Sequence, residues 1–174
     1  MIDYRIMTQE GYTENIGSLV SMLTHSRKVT LSEIADLTPY DLDFLSDEKG
    51  NTIGALLLHI AAIEAVHQVI SFEKRDFTDE EYAKWGTALT LGEKARREIK
   101  GFSGNYYLSQ LSEVRKKTLQ ILQTKTDEWL LEESYWPNGV AYNNYYLWFH
   151  VMEDEINHRG QIRTLKRLIA TSTS

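Results

Sequence analysis

The sequence predicts a single all-α domain, residues 1–174, folded as a four-helix bundle. Three observations support this prediction. Apolar residues recur every three to four positions along four long stretches, strand signals are scarce, and no Gly-, Pro- or Ser-rich linker divides the chain. A chain of 174 residues, 42% of them hydrophobic, is long enough to bury one sizeable core.

The first two predicted helices are defined by clear start and stop signals. An apolar stripe over residues 16–37 forms the first helix, and Pro39 closes it. Asn51 or Thr52 can cap a second helix over residues 53–72, because both residue types accept hydrogen bonds from free N–H groups at a helix start. The polar connector between the two helices is expected to lack long regular structure.

The second half of the chain contains two more long helices. Residues 74–105 combine charges with four glycines and predict short helical turns. A third helix is expected over residues 106–131, and a Pro-Asn-Gly turn follows within residues 134–139. The fourth helix is expected from residue 143 or 144 to about residue 169. Gly160 inside it predicts a close crossing with another helix, with room for a ligand as the alternative.

Composition excludes several classes of function. The chain contains no cysteine, which rules out a disulfide scaffold, a cysteine nucleophile and a thiolate zinc site. A net charge of −6 argues against nucleic-acid binding, which depends on neutralising phosphates. No apolar run approaches the roughly 20 residues that span a bilayer, and the N-terminus lacks a signal-peptide pattern. We therefore expect a soluble cytoplasmic protein that does not bind membranes.

Two polar residues interrupt the apolar stripe of the fourth helix. Asp154 and His158 occupy central positions of this stripe, one turn apart on the same face. A buried carboxylate without a partner costs several kcal/mol or changes its protonation state. The sequence therefore predicts that another group pairs with Asp154.

Two histidines of the second helix can supply that partner. If the second and fourth helices are antiparallel with His59 level with His158, then His67 is level with His150, because both pairs of residue numbers add up to 217. The second pair would lie about 12 Å from the first, at 1.5 Å per residue. Four of the five histidines would then lie along one seam between the helices.

A site of two histidines and one carboxylate suits zinc, nickel, manganese or ferrous iron and leaves coordination positions open. We expect one divalent metal ion per chain, bound by His59, Asp154 and His158, with zinc or nickel ahead of manganese or iron. A hydrogen-bonded core network of the same three residues is the alternative without metal. A further alternative is a ferritin-like di-iron site, built from two Glu-x-x-His motifs that begin at Glu64 and Glu155, with Glu33 and Glu113 as the other glutamates.

Two short segments add a resemblance to a known family. Gly54-Ala-Leu-Leu-Leu-His59 and His158-Arg-Gly-Gln-Ile162 resemble the two signatures of the DinB-like (damage-inducible) four-helix bundles, in the same order. The resemblance implies a bundle with a long crossover, a homodimer and a metal site. His59 and His158 match two of its histidine ligands, whereas Asp154 stands where the family usually has a third histidine.

The resemblance also implies an activity. Some DinB-like proteins transfer low-molecular-weight thiols to electrophiles, and because this chain has no cysteine, the thiol would be a diffusible small molecule. The function expected here is a metal-dependent thiol S-transferase acting on a small-molecule substrate, or a hydrolase in which the metal activates water. A catalytically silent metal-binding dimer is the alternative. Aromatic residues concentrated around the start of the fourth helix also favour a homodimer.

Overall fold

In the computed structural model, which describes residues 3–172, the chain forms eight α-helices, one π-helical segment and one β-hairpin. The helices are α1 (Glu14–Ile34), α2 (Pro39–Asp43), α3 (Ile53–Gln68), α4 (Asp79–Thr90), α5 (Gly92–Glu98), α6 (Gly104–Leu122), α7 (Asp127–Leu131) and α8 (Asn144–Ser172). The π-helical segment, Val69–Glu73, continues α3. The antiparallel strands are β1 (Glu133–Tyr135) and β2 (Ala141–Asn143). The predicted all-α class is confirmed.

Helices α1, α3, α6 and α8 form the bundle. Residue contacts show that α3 is antiparallel to α8 and that α1 is antiparallel to α6. Other side-chain contacts show that α1 is parallel to α8 and that α3 is parallel to α6. Since α3 and α6 run in the same direction, the chain must return along the bundle between them. Helices α4 and α5 lie in this crossover, as the predicted architecture requires.

The third predicted helix was too long. Helix α6 ends at Leu122, and residues 127–131 form the separate helix α7. The reason is a long-range contact, because the Asp127 carboxylate accepts hydrogen bonds from the backbone N–H groups of Asn15 and Ile16, each at 3.1 Å. These N–H groups belong to the first turn of α1, where the side chain of the N-cap residue accepts no hydrogen bond from them. The predicted Pro-Asn-Gly turn lies in the hairpin between β1 and β2.

The central helix of the bundle corrects the prediction about apolar runs. The segment Ile53–Glu73 has the length and mean hydropathy of a membrane span, yet 83% of its most apolar 18-residue window is buried inside the protein. Buried residues occur all around α3, because it contacts α4, α6 and α8 on different sides. This segment is therefore the core helix of the bundle.

Four charged residues form a buried quartet at the centre of the bundle: Arg27 of α1, Glu64 of α3, Arg115 of α6 and Glu155 of α8. Both glutamates have 0% exposure. Arg27 bonds Glu155 and Glu64, each at 2.9 Å, and Arg115 bonds Glu64 at 2.7 Å and Glu155 at 3.3 Å. Burial alone would raise the pKa of Glu64, but the two guanidinium groups outweigh it and hold that pKa at about 2.

The two arginines also connect the helices that carry them. Arg27 donates to the carbonyl oxygen of Leu111 on α6 at 2.7 Å, and Arg115 donates to that of Leu23 on α1 at 2.6 Å. Each carbonyl lies four residues before the arginine of its own helix. The quartet has no net charge, and each arginine contacts three other helices of the bundle.

Gly54 marks a close approach between α3 and α6. A Cβ atom at this position would lie 2.6 Å from Cζ of Tyr107, a side chain with 0% exposure. We expect Gly54→Ala to lower the free energy of unfolding by about 1–3 kcal/mol, because the buried ring must move. Urea unfolding measures this loss. The matched control is Gly86→Ala on α4, where the nearest atom lies 3.6 Å away. An equal effect of both substitutions would contradict the close approach.

The close helix crossing predicted at Gly160 of α8 is absent. No atom of another element lies within 4 Å of a Cβ built at this position, so that prediction was wrong. The open space beside Gly160 agrees with the alternative prediction of room at this position.

Candidate metal centre

The structure brings the three predicted ligands together. Nε2 of His158 lies 3.3 Å from Oδ1 of Asp154, and Nε2 of His59 lies 3.6 Å from the same oxygen. The two imidazole rings meet edge to face, with their centroids 4.6 Å apart. One ligand atom from each residue lies within 4.8 Å of the others. Within residues 3–172 this is the one group of three such side chains close enough to share an ion.

The two distances from the imidazole nitrogens to Asp154 Oδ1 are close to those between ligand atoms around one ion. Zinc binds histidine nitrogen and carboxylate oxygen at about 2.0–2.2 Å, so two ligand atoms in a tetrahedron lie about 3.3–3.5 Å apart. Nitrogen–oxygen hydrogen bonds are usually about 2.7–3.2 Å long. Both observed distances, 3.3 and 3.6 Å, exceed that range. The arrangement is therefore compatible with a shared metal ion.

Neighbouring groups leave the ligand atoms free. Nδ1–H of His59 donates to the carbonyl oxygen of Ala88 on α4 at 2.9 Å, which leaves a lone pair on Nε2. Oδ2 of Asp154 and Nδ1 of His158, the atoms that do not face the triad, are buried and make no hydrogen bond within the described part of the chain. Nε2 of His59 is therefore the donor atom whose availability the surrounding contacts support.

Charges in the site oppose the effect of burial. Burial raises the pKa of Asp154, but its contacts with the imidazoles of His158 and His59 outweigh this and lower that pKa well below the ordinary value. Burial lowers the pKa of His59, whereas the Asp154 carboxylate and the Ala88 carbonyl raise it more. Without metal, a proton therefore stabilises the same arrangement that a cation would.

Metal affinity should fall as the pH falls. Histidine binds metal in its neutral form, and the pKa of His59 is raised, so protons compete from a higher pH than for an ordinary histidine. Below that pKa we expect the affinity for zinc to drop by roughly tenfold per pH unit for each protonated ligand. Competitive titration with a chelator of known affinity, at pH 6 and at pH 8, measures the change. Equal affinity at both values would rule out histidine ligands.

A second pair of histidines confirms the predicted register. The rings of His67 and His150 lie 5.4 Å apart. His67 is buried, its Nδ1–H donates to the Ile63 carbonyl oxygen at 2.7 Å, and burial is the main cause that lowers its pKa to about 4. His150 lies 3.3 Å from the Glu153 carboxylate at the surface. No third ligand within residues 3–172 lies close enough to make this pair a second cluster.

The glutamates that a di-iron site would need are already paired with arginines. Glu64 and Glu155 bond the arginines of the buried quartet, so their oxygens already have charged partners. Glu33 pairs with Arg163 at 2.7 Å. Sequence reasoning singled out the two Glu-x-x-His motifs but did not predict the buried arginines that form ion pairs with their glutamates.

A surface depression of about 590 Å³ lies beside the candidate ligands. It combines exposed apolar side chains with polar groups and includes Asp154 itself. Its lining consists of Phe149, His150, Met152, Glu153, Asp154, Ile156 and Asn157. A small molecule in this depression would contact the carboxylate side of the triad.

Comparison with known families identifies the chain at this point. Residues 18–171 match the sequence model of the family MST, mycothiol-S-transferase. The chain belongs to this family. The match confirms the DinB-like resemblance, and a mycothiol-S-transferase family member is expected to depend on a metal, which agrees with the triad. A search of proteins with curated functions finds no match.

Solved structures with the same fold come from three bacteria. A Streptococcus pneumoniae protein matches with a TM-score of 0.68 and 14% identity, over 88% of this chain and 91% of its own. A Clostridium difficile 630 protein matches with 0.67 and 14%, over 88% and 96%. An Escherichia coli UTI89 protein matches with 0.63 and 15%, over 89% and 94%. At these identities the likeness shows the fold of the MST chain and nothing further.

Proposed function

We propose that this protein is a divalent-metal-dependent thiol S-transferase, with one ion held by His59, Asp154 and His158. The observation that carries the proposal is the triad itself, whose donor atoms lie within 4.8 Å of one another in a chain of the mycothiol-S-transferase family. Two imidazoles and one carboxylate suit zinc or nickel, and manganese or iron are the alternatives. Three protein ligands leave room for a substrate atom.

A bound divalent metal supplies Lewis acidity, which favours the thiolate form of a thiol. Since the chain has no cysteine, the thiol is a second substrate that enters from solution. Its sulfur loses a proton to solvent and forms a bond to an electrophilic carbon of the other substrate. The leaving group then departs with the electrons of its bond to carbon.

The chain's own residues position this chemistry. The Ala88 carbonyl fixes the ring of His59, and Asp154 adds a negative charge that balances a divalent cation. Phe149 and Ile156, each about half exposed, give the depression an apolar wall that suits the electrophile. The depression opens to solvent, so both substrates can enter beside Asp154.

The test is a transfer assay on protein purified without an affinity tag. Samples loaded separately with zinc, nickel, manganese and iron are incubated with mycothiol and 1-chloro-2,4-dinitrobenzene, and release of chloride is followed. We expect a rate above background that chelation removes and that His158→Ala abolishes. A protein that binds metal but gives no rate with any thiol or electrophile would instead support the silent metal-binding function, which the unusual Asp154 favours.

We also propose that the protein is a cytoplasmic homodimer. Low-molecular-weight thiols stay reduced in the cytoplasm, which suits the proposed activity. Near the start of α8, Tyr135 and Tyr146 are 63% and 47% exposed and lie outside the lining of the depression. Light scattering should give twice the chain mass of 20.2 kDa, about 40 kDa, and Tyr146→Glu should reduce it. A wild-type mass near 20 kDa at micromolar concentration would exclude the dimer.

A further inference from the structure

Two histidines outside the triad, called here the histidine pair, lie along the seam where α3 packs against α8. The ring centroids of His67 and His150 are 5.4 Å apart. On each helix the pair is eight residues from the triad histidine, which places it about 12 Å along the bundle at 1.5 Å per residue. Neither the family match nor the triad assigns the pair a role. An ion bound by the pair would therefore be separate from an ion at the triad.

Both rings of the histidine pair are held through Nδ1. Nδ1–H of His67 donates to the carbonyl oxygen of Ile63 at 2.7 Å, and Nδ1 of His150 faces the Glu153 carboxylate at 3.3 Å. Histidines that bind metal are usually oriented in this way, by a carbonyl or carboxylate on the other ring nitrogen. Neither Nε2 makes a hydrogen bond within residues 3–172. Each ring therefore has a lone pair on Nε2 available for an ion.

The buried member of the pair stays neutral over the physiological pH range. Burial is the main cause that lowers the pKa of His67 to about 4, and the neighbouring His150 also lowers it. Metal ions bind the neutral form of imidazole. Protons therefore do not compete for the lone pair of His67 at neutral pH, whereas a metal ion can use it.

The charges around the histidine pair favour a cation. His150 lines the surface depression of about 590 Å³, together with the carboxylates of Glu153 and Asp154 and with no lysine or arginine. A depression lined by charges of one sign raises the local concentration of the opposite ion. The side chain of His150 is 37% exposed, so an ion can reach the pair from this depression.

The spacing of the two rings is close to that of two ligands on one ion. Imidazole nitrogen binds zinc at about 2.0–2.1 Å, so the ring centroids of two imidazoles on one ion lie about 5 Å apart. The histidine pair is at 5.4 Å, and the two histidines of the triad are at 4.6 Å. A single ion can therefore contact both rings of the pair after only a small adjustment of the side chains.

We propose that His67 and His150 bind a transition-metal ion of their own, with water in its remaining coordination positions. Imidazole ligands suit copper(II), nickel and zinc, and copper(II) binds most tightly of these. Because no third ligand within residues 3–172 joins the pair, this site should bind more weakly than the triad and fill after it. The inference does not depend on the transferase function. A second ion per chain would indicate this site and not a di-iron centre, whose glutamates are paired with arginines.

The experiment uses the full chain with His59→Ala and His158→Ala, which removes the triad and leaves the histidine pair. Copper(II) is titrated by calorimetry, and the bound ion is examined by electron paramagnetic resonance. We expect one copper(II) ion per chain, with hyperfine splitting from two imidazole nitrogens. Zinc should bind with the same stoichiometry and lower affinity. Excess magnesium should not compete, because it prefers oxygen ligands.

Further substitutions in this triad-free chain identify the ligands. His67→Gln and His150→Gln should each weaken copper(II) binding by more than the roughly 10–100-fold that loss of an outer-shell partner costs. Glu153→Gln removes such a partner, so its effect should fall within that range. His25→Gln on α1, away from the seam, is the matched control and should change nothing. Thermal melts check folding, and if the buried His67→Gln variant unfolds, His150→Gln at its partly exposed position decides.

The outcomes separate this site from the triad. If the triad-free chain binds no copper(II), if His150→Gln binds it as tightly, or if magnesium displaces it, the histidine pair is not a metal site. The transferase proposal stands in each of these cases, because it concerns the triad alone. If instead wild type and the triad-free chain bind zinc equally well, at one ion per chain, the triad holds no metal and the histidine pair does.

Discussion

Replacing Arg27 by leucine is expected to destabilise the protein by about 3–5 kcal/mol, the typical effect of breaking a buried ion pair from one side. Arg27 is 6% exposed and donates twice to Glu155, at 2.9 and 3.2 Å. The remaining contact of Glu155 within the quartet, to Arg115, is 3.3 Å long. Without Arg27, a carboxylate with 0% exposure would keep one weak partner. Urea unfolding at pH 7 measures the loss.

Two further variants test whether charge is the cause. Glu155→Leu combined with Arg27→Leu removes one charge of each sign and leaves Arg115 with Glu64, so we expect it to recover most of the lost stability. Glu153→Ala is the control on the same helix, because its carboxylate is exposed and its removal should change stability by less than about 0.5 kcal/mol. A loss below about 1 kcal/mol for Arg27→Leu would show that the quartet contributes little.

The second large effect is expected at Asp154. Asp154→Ala removes one of three proposed ligands, and the affinity for zinc should fall by more than the roughly 10–100-fold that loss of an outer-shell partner costs. Asp154→His should restore the usual family triad and retain metal, with a shift towards ions that prefer nitrogen. Asp154→Asn should lie between wild type and alanine. Metal titrations with a competing chelator give the three values. If Asp154→Ala binds as tightly as wild type, Asp154 is not a ligand, and His150 becomes the next candidate.

The same variants have a pH-dependent effect in the metal-free protein. Against the effect of burial, contact with Asp154 raises the pKa of His59, and contacts with His158 and His59 lower the pKa of Asp154. The stabilisation from His59 is complete below its ordinary pKa of about 6.5 and is lost as the pH rises through the raised value. The stabilisation from Asp154 is present above its ordinary value of about 3.9. In excess chelator, Asp154→Ala should therefore be less stable than wild type at pH 5.5 and should lose this disadvantage at pH 8.5.

Sequence reasoning found the helix register correctly because polar residues in an apolar stripe are rare and informative. The equal sums of residue numbers predicted that His59 faces His158 and that His67 faces His150, and the ring separations of 4.6 and 5.4 Å confirm both pairs. The period of the helix fixes which residues share a face, and burial requires them to meet a partner. The site followed from these two constraints.

The buried quartet was missed although a signal was present. Arg115 occupies the gap between Leu111 and Thr118 in the apolar stripe of α6, where a long cation resembles a solvated residue whose stem covers the core. Recognising it as buried required the two glutamates of other helices, and these had been interpreted as parts of Glu-x-x-His motifs. The break after Leu122 had no local signal, because its cause is a contact between Asp127 and a helix more than 100 residues earlier.

The Ala88 carbonyl that orients His59 belongs to the crossover and not to the four bundle helices. The orientation of the His59 ring therefore depends on how the crossover packs against α3, so this packing and the proposed metal binding are thermodynamically coupled. Any substrate or substitution that loosens residues 79–98 from α3 would weaken metal binding, and metal binding would in return tighten that segment. Amide hydrogen exchange of α4, measured with and without the ion, tests this coupling, because bound metal should slow exchange there.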